Sequence, residues 1–166
     1  NDAPTLATVS DVSFDEDGSG STSLSASDVD GDDLTYSITG GSDILATLTG
    51  SDVSFSAPAN YNGSETFTVS VSDGELVDEQ TITVTVNAVN DAPVATVGLS
   101  GTTSEDQSVV VTLSGSDVDG DALTFTLAND ATNGSVLISG SVATYTPNQD
   151  FNGEDSFTFT VSDGDL

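Results

Sequence analysis

Apolar and polar residues alternate with a period of two along most of this chain. Leu34, Tyr36 and Ile38 alternate with Thr35 and Ser37, and Phe67, Val69 and Val71 alternate with Thr and Ser. Ile82, Val84 and Val86 continue the pattern, as do Val109, Val111 and Leu113, then Leu123, Phe125 and Leu127, then Phe157, Phe159 and Val161. A strand with one buried and one wet face produces this alternation, with Thr and Ser on the wet side, and no segment carries a helical period. Gly, Asn and Asp clusters interrupt the runs, and the Asn-Gly pairs at 62–63, 133–134 and 152–153 predict hairpin turns.

The pattern occurs twice. Asn-Asp-Ala-Pro stands at residues 1–4 and again at 90–93, Glu16-Asp17 returns as Glu105-Asp106, and Asp-Val-Asp-Gly-Asp at 28–32 returns unchanged at 117–121. Each of these pairs is 89 positions apart, whereas Val-Ser-Asp-Gly at 71–74 returns at 161–164, 90 positions on, so the second copy holds one inserted residue. A period this long is a whole domain rather than a solenoid unit. About seven strands in each copy predict an all-β fold of two tandem Greek-key sandwiches, residues 1–89 and 90–166. A jelly roll or closed barrel would want more strands. Leu166 matches Leu76, so residues 77–89 have no counterpart in the second copy. That copy is expected to lack its last strand, and the chain reads as a piece of a longer array.

Charge changes the picture. The 166 residues include 28 acidic side chains and no Lys, Arg or His, a formal charge of −28. Self-repulsion of this size has no cationic side chain to relieve it, so positive charge must come from outside. Carboxylates, Asn amides and backbone carbonyls are the donors that Ca²⁺ or Mg²⁺ prefers, while zinc and copper want imidazole or thiolate. Disorder and a merely solvated acidic surface are the alternative readings of such a composition. Ordered alternation in a chain that is 35% hydrophobic argues against disorder. Nucleic-acid binding lacks the cations that phosphate requires. No apolar run approaches the roughly 18 residues of a membrane span, so direct membrane insertion is not expected. With neither Cys nor Lys, the chain can form no disulfide and no Lys–Asn cross-link.

The acidic residues gather between the apolar runs: Asp15, Glu16 and Asp17; Asp28, Asp30, Asp32 and Asp33; Asp73; Asn90 and Asp91; then the same set in the second copy. Alternate residues of an extended segment project to one side, so Asp28 and Asp30 can point into one site. Like charges held that close repel strongly, and a bound cation turns the repulsion into attraction. The loops are not EF-hands, because positions 6 and 12 counted from Asp28 are Asp33 and Thr39, and from Asp117 they are Ala122 and Ala128. The Gly-Gly nonapeptide of calcium-binding β-helices is absent as well.

A Glu after the first strand, an Asp-x-Asp, a later Asp and an Asn-Asp-x-x-Pro-like linker, in that order and twice over, resemble the cadherin superfamily. The likeness is specifically to cadherin-like tandem repeats of large bacterial surface and secreted proteins. The matching residues are Glu16, Asp28, Asp30, Asp73 and Asn90-Asp91-Ala92-Pro93, then Glu105, Asp117, Asp119 and Asp163. The resemblance implies Ca²⁺ at the junction between consecutive domains. Its ligands would be Glu16 and Asp17, then Asn90 and Asp91, then Asp117, Asp119 and Asp163, with Asp121 as an addition. Weaker half-sites would use Asn1, Asp2, Asp28, Asp30, Asp32 and Asp73 at one terminus and Glu105, Asp106 and Asp150 at the other. Cadherins also carry an Asp-Arg-Glu motif that this chain lacks. Asn60, Asn62 or Glu65 stands in its place, which leaves two or three ions per junction open.

The resulting expectation is an extracellular or cell-surface module that extends or adheres, stiffened by Ca²⁺, with neighbouring repeats of the same chain as partners. Binding of polysaccharide, or of another copy of itself, and self-assembly by strand exchange are the alternatives. Catalysis is not expected. The acidic groups are duplicated and packed many to a site, unlike one acid and one base across a cleft, and no His, Cys or Lys is present.

Overall fold

The structure, a computed structural model, describes residues 1–166 and contains sixteen strands and no helix, so no helix is long and apolar enough to cross a membrane. The chain forms two compact units, Asn1–Val89 and Asn90–Leu166.

Unit 1 comprises β1 (Thr5–Leu6), β2 (Val12–Asp15), β3 (Ser19–Ser23), β4 (Ala26–Ser27), β5 (Thr35–Gly40), β6 (Leu45–Thr49), β7 (Asp52–Ser56), β8 (Gly63–Ser72) and β9 (Val77–Asn87). One sheet has the order β2-β9-β8-β5, a second has β3-β7-β6, and β1 pairs with β4 alone. β8 and β9 form a long antiparallel hairpin that pairs Ser72 with Val77 and Gly63 with Val86. β2 joins the other side of β9 in parallel, with Val12 opposite Val84. The inward residues Phe67, Val69, Val71, Ile82, Val84 and Val86 meet Val53 and Phe55 of the second sheet, and all are buried. Phe55 and Phe67 touch edge to face with centroids 5.3 Å apart, so the two sheets close over one core.

Unit 2 comprises β10 (Val94–Ala95), β11 (Val109–Thr112), β12 (Gly115–Ser116), β13 (Thr124–Asn129), β14 (Gly134–Ser139), β15 (Val142–Pro147) and β16 (Thr158–Ser162). Its sheets, β11-β15-β14, β13-β16 and β10-β12, repeat the order of β3-β7-β6, β5-β8 and β1-β4. The core is smaller: Leu113, Val136 and Ala143 are buried, with Phe125, Leu127, Tyr145, Phe157 and Phe159 only partly so. Residues 101–104, the counterpart of β2, form no strand, and neither do 153–157, the counterpart of the first half of β8. In unit 1 both of these segments pair with β9. The 166 residues contain no second β9, and an unpaired segment cannot close a ladder.

The expected Asn-Gly hairpins are corrected. Gly63 opens β8 and Gly134 opens β14, while the two-residue turns are Gly50-Ser51, between Thr49 and Asp52, and Gly140-Ser141, between Ser139 and Val142. An Asn-Gly pair marks a tight hairpin only where the flanking strands are neighbours. Residues 62–63 join β7 to β8, which lie in different sheets. At the true turns Gly50 and Gly140 take φ of 64° and 60°, the left-handed start that a primed turn requires. The inserted residue of unit 2 is a bulge within β13, between Leu127 and Asn129: Leu127 faces Phe159 as Ile38 faces Val69, but Asn129 then faces Thr158 as Thr39 faces Thr68. The offset is 89 before the bulge and 90 after it, as in the hairpin pairs Leu48–Val53 and Ile138–Ala143.

Candidate metal centres

In both units the Asp-Val-Asp-Gly-Asp loop leaves a two-residue strand, β4 in one and β12 in the other. Asp28 Oδ1 accepts hydrogen bonds from the N–H groups of Asp30, Gly31 and Asp32 at 2.8, 2.9 and 3.3 Å. An aspartate that accepts from residues just ahead curls its own loop. Gly31 and Gly120 complete the curl at φ of 81°, with open space where a side chain would begin. In unit 2, Asp117 Oδ1 accepts from Asp121 N–H at 3.2 Å. The second oxygen of each leading aspartate, Asp28 Oδ2 and Asp117 Oδ2, is shut off from solvent and faces no hydrogen-bond donor. Carboxylate oxygens of Asp28, Asp30 and Asp32 lie within 4.8 Å of one another, and so do those of Asp117, Asp119 and Asp121.

Each Asn-Asp pair folds onto the loop of its own unit. Asp2 N–H donates to Asp30 Oδ2 at 2.6 Å, and Asn1 Nδ2 donates to Asp73 Oδ2 at 2.9 Å. The same bonds return as Asp91 N–H to Asp119 Oδ2 and Asn90 Nδ2 to Asp163 Oδ2, both 2.8 Å. Asp73 follows β8 and Asp163 follows β16. Asp73 is held below the usual carboxylate range by the N–H groups of Leu76 and Glu75, with help from Asn1. Leu166 N–H, the Asn90 amide and Asp165 N–H do the same for Asp163. These groups stay charged in mild acid, as a cation site requires. Sequence reasoning grouped Asn1, Asp2, Asp28, Asp30, Asp32 and Asp73, and it grouped Asn90, Asp91, Asp117, Asp119, Asp121 and Asp163 together with Glu16 and Asp17. The structure brings together the first set, and the unit 2 members of the second, within their own units.

Glu16 and Asp17 sit at the other end of unit 1. They follow β2, beside the close of β9, whereas Asp73 lies by the start of β9. The eleven residues of β9 separate the two ends by about 35 Å. Glu16 is 7% exposed. Its N–H donates to Asn87 C=O at 2.9 Å, and its Oε1 accepts from Val89 N–H at 2.6 Å, so residues 87–89 are strapped over it. Asp17 takes φ of 59° and accepts from Asn60 N–H at 3.1 Å. In unit 2, Asp106 repeats this with φ of 60° and Asp150 N–H at 2.9 Å, while Glu105 is exposed because no segment equivalent to 87–89 covers it.

Glu65 has a bracing role that sequence reasoning did not show. Glu65, considered as a stand-in for the Asp-Arg-Glu motif, spends both oxygens on the N–H groups of Ser42, Asp43 and Ile44 at 2.8, 3.0 and 3.1 Å. Those bonds hold its carboxyl low despite some burial. Asp155 braces the matching loop through Thr132 and Asn133 N–H and accepts from the Tyr145 hydroxyl at 3.1 Å. Burial pushes Asp155 up, but these bonds outweigh it and the group lies low. The 90-residue offset between Glu65 and Asp155 was the available signal.

The sequence profile of a family described as Bacterial Ig domain matches residues 1–85 and again 90–166. No curated protein sequence matches the chain. Among solved structures, the first two extracellular cadherin repeats of human protocadherin-24 are similar in two crystal structures. One has 19% identity and a TM-score of 0.60, covering 98% of this chain and 95% of that one. The other has 19% identity and a TM-score of 0.50, covering 98% and 94%. An endo-fucoidan hydrolase of glycoside hydrolase family 107 matches at 24% identity and a TM-score of 0.41, covering 98% of this chain, which spans only 27% of that enzyme. The protocadherin likeness shows the fold, a tandem pair of immunoglobulin- and cadherin-like sandwiches.

Proposed function

The chain belongs to the Bacterial Ig domain family, and from that premise we propose that it is a Ca²⁺-binding extender module of an extracellular or cell-surface protein. One observation carries this reading. Asp28 Oδ2 and Asp117 Oδ2 are negative oxygens shut off from water and facing no donor, each grouped with two further carboxylates. A desolvated carboxylate oxygen without a partner is costly, and a hard cation taking six to eight oxygens is the group that removes the cost. The donor set is all oxygen, which favours Ca²⁺ or Mg²⁺ and disfavours zinc.

Asp28, Asp30 and Asp32, with Asp73, Asn1 and Asp2 beside them, would hold the ion in unit 1. Asp117, Asp119, Asp121, Asp163, Asn90 and Asp91 would hold it in unit 2. Once bound, the ion supplies charge neutralisation and a bond network over the Asn-Asp segment that leads into each unit. Because unit 1 carries acidic groups at both of its ends, an array of such units would couple neighbours through Ca²⁺ and stiffen. In that array Glu16 and Asp17, or Glu105 and Asp106, would contribute from the preceding unit. The role is mechanical spacing rather than catalysis. The two aromatic pairs, Phe55–Phe67 and Phe125–Phe159, belong to the cores, so neither forms the exposed platform that carbohydrate binding would favour.

Thermal melting and small-angle scattering, with Ca²⁺ and then with chelator, test the proposal. A higher melting temperature and a longer maximum dimension in Ca²⁺ are expected. Identical curves in the two conditions would remove the calcium reading.

A further inference from the structure

The outer face of the sheet β11-β15-β14 differs in chemistry from its counterpart in unit 1. Val110 and Leu137 lie on either side of Thr144, and Val142 stands in the next row, between Thr112 and Ser139. Val110, Leu137 and Val142 are 58%, 72% and 38% exposed. Direct and diagonal cross-strand neighbours on one face lie within reach of each other, so the three form one apolar patch around Thr144. In unit 1 the same positions of β3-β7-β6 hold Ser21, Ser54 and Thr47 in one row and Ser23, Asp52 and Thr49 in the next. Ser21, Thr47 and Asp52 there are thus replaced by Val110, Leu137 and Val142. These side chains point away from the core. The unit 1 set stays exposed although β9 completes the opposite sheet, so the face is open whatever strand stands behind it.

We propose that this face is a self-association surface, which meets the same face on a second copy of the chain. Charge selects that occupant. With −28 and no cationic side chain, two copies repel wherever their carboxylates approach. Residues 108–112, 134–139 and 142–147 contain no acidic side chain, so here two copies can meet without setting carboxylate against carboxylate. A cationic partner would be drawn to the acidic loops instead. Shape agrees with this, because Leu137 and Val110 flank the shorter Thr144. A copy turned about a two-fold axis can set its own Leu137 into that dip. The face offers roughly 14 by 17 Å of sheet, about 240 Å², against about 800 Å² per partner in a stable complex. One pair of faces is therefore weak, and in an array the contacts of repeated units would add.

Sedimentation equilibrium of the whole 166-residue chain, from about 20 μM to about 1 mM, tests this in Ca²⁺ and in chelator. The expected result is a monomer–dimer equilibrium with a dissociation constant of roughly millimolar size, tightening as sodium chloride screens the net charge. It should appear in chelator as in Ca²⁺, because no patch residue belongs to an acidic triad, so its result is separate from the calcium reading. Leu137→Thr with Val142→Asp installs the residues that unit 1 carries at those positions, and should weaken the dimer about tenfold or more. Val110→Ser, a milder change, should weaken it in the same direction. The reciprocal variant in unit 1, Ser21→Val with Thr47→Leu and Asp52→Val, should add a second face and carry association past the dimer. A chain that stays monomeric throughout overturns the proposal and leaves the face to a different partner. Dimerisation unchanged in both unit 2 variants overturns it as well, since the contact would then run through another surface. So does association confined to Ca²⁺, which would mean an ion bridging carboxylates of two copies. A unit 1 variant that associates no further than the parent would also contradict it.

Discussion

Val12 and Gly20 in unit 1 exchange sizes with Gly101 and Val109 in unit 2. A methyl at Gly20 would lie 2.6 Å from Phe14 Cδ1 and 2.8 Å from Val12 Cγ1, and one at Gly101 would lie 3.0 Å from Val109 Cγ2. One large and one small residue fill the same space in both units, with their places reversed. Gly20→Val alone should therefore destabilise unit 1 by about 1–3 kcal/mol, the usual cost of overpacking. Adding Val12→Gly should recover part of the loss, and a denaturant-melt double-mutant cycle measures the coupling. Glu65 gives a second residue-scale expectation. Its carboxyl is lowered by the N–H groups of Asp43, Ser42 and Ile44. Its stabilising contribution is thus complete above the ordinary carboxylate range and disappears as pH falls through the depressed value. The stability difference between the parent and Glu65→Gln should be largest near neutrality and vanish in acid, as pH-dependent melts would show. A difference that grew in acid would contradict the assignment.

At the scale of elements, alternation identified β5, β8, β9, β11, β13 and β16, because a half-buried strand writes its two faces directly into sequence, whereas the hairpins β6–β7 and β14–β15 were not picked out. Turns were less legible. Asn62-Gly63 has hairpin chemistry, but whether a pair forms a hairpin depends on which strands flank it, and that is decided by sheet assignment. The Asp loops were legible because the repeat set 28–32 beside 117–121. The brace formed by Glu65 and Asp155 was hidden, because an isolated carboxylate carries no local mark of which N–H groups it will meet. The loops also permit a sharp comparison. Asp117→Asn with Asp119→Asn should abolish most of the Ca²⁺-dependent rise in melting temperature. Asp43→Asn with Asp52→Asn should leave it nearly intact, since Asp52 bonds to the Ser23 hydroxyl and neither residue belongs to an acidic triad. Equal effects would mean that bulk charge, rather than a site, responds to the ion.

Over the whole molecule, a charge of −28 without a single cationic side chain makes two responses to salt separable. Sodium chloride screens all the carboxylates at once, so in chelator the melting temperature should climb gradually as the Debye length shrinks from about 30 Å at 0.01 M to about 10 Å at 0.1 M. A specific ion acts by mass action and saturates, contributing about 2.7 kcal/mol at a hundredfold excess over its dissociation constant. Calcium at low millimolar concentration should therefore shift the melt far more than sodium chloride of equal ionic strength, in scanning calorimetry. Unit 2, with the smaller buried core, should melt below unit 1.

The parallel pairing of β2 with β9 has a consequence under tension. β2 lies near the start of unit 1 and β9 closes it, so a pull on the two ends of the unit draws Val12 and Asn87 in opposite directions along the same seam. The bonds between Val12↔Val84 and Asp15↔Asn87 are then loaded in shear and must rupture together, rather than unzipping one at a time. Unit 1 should resist stretching as a clamp does.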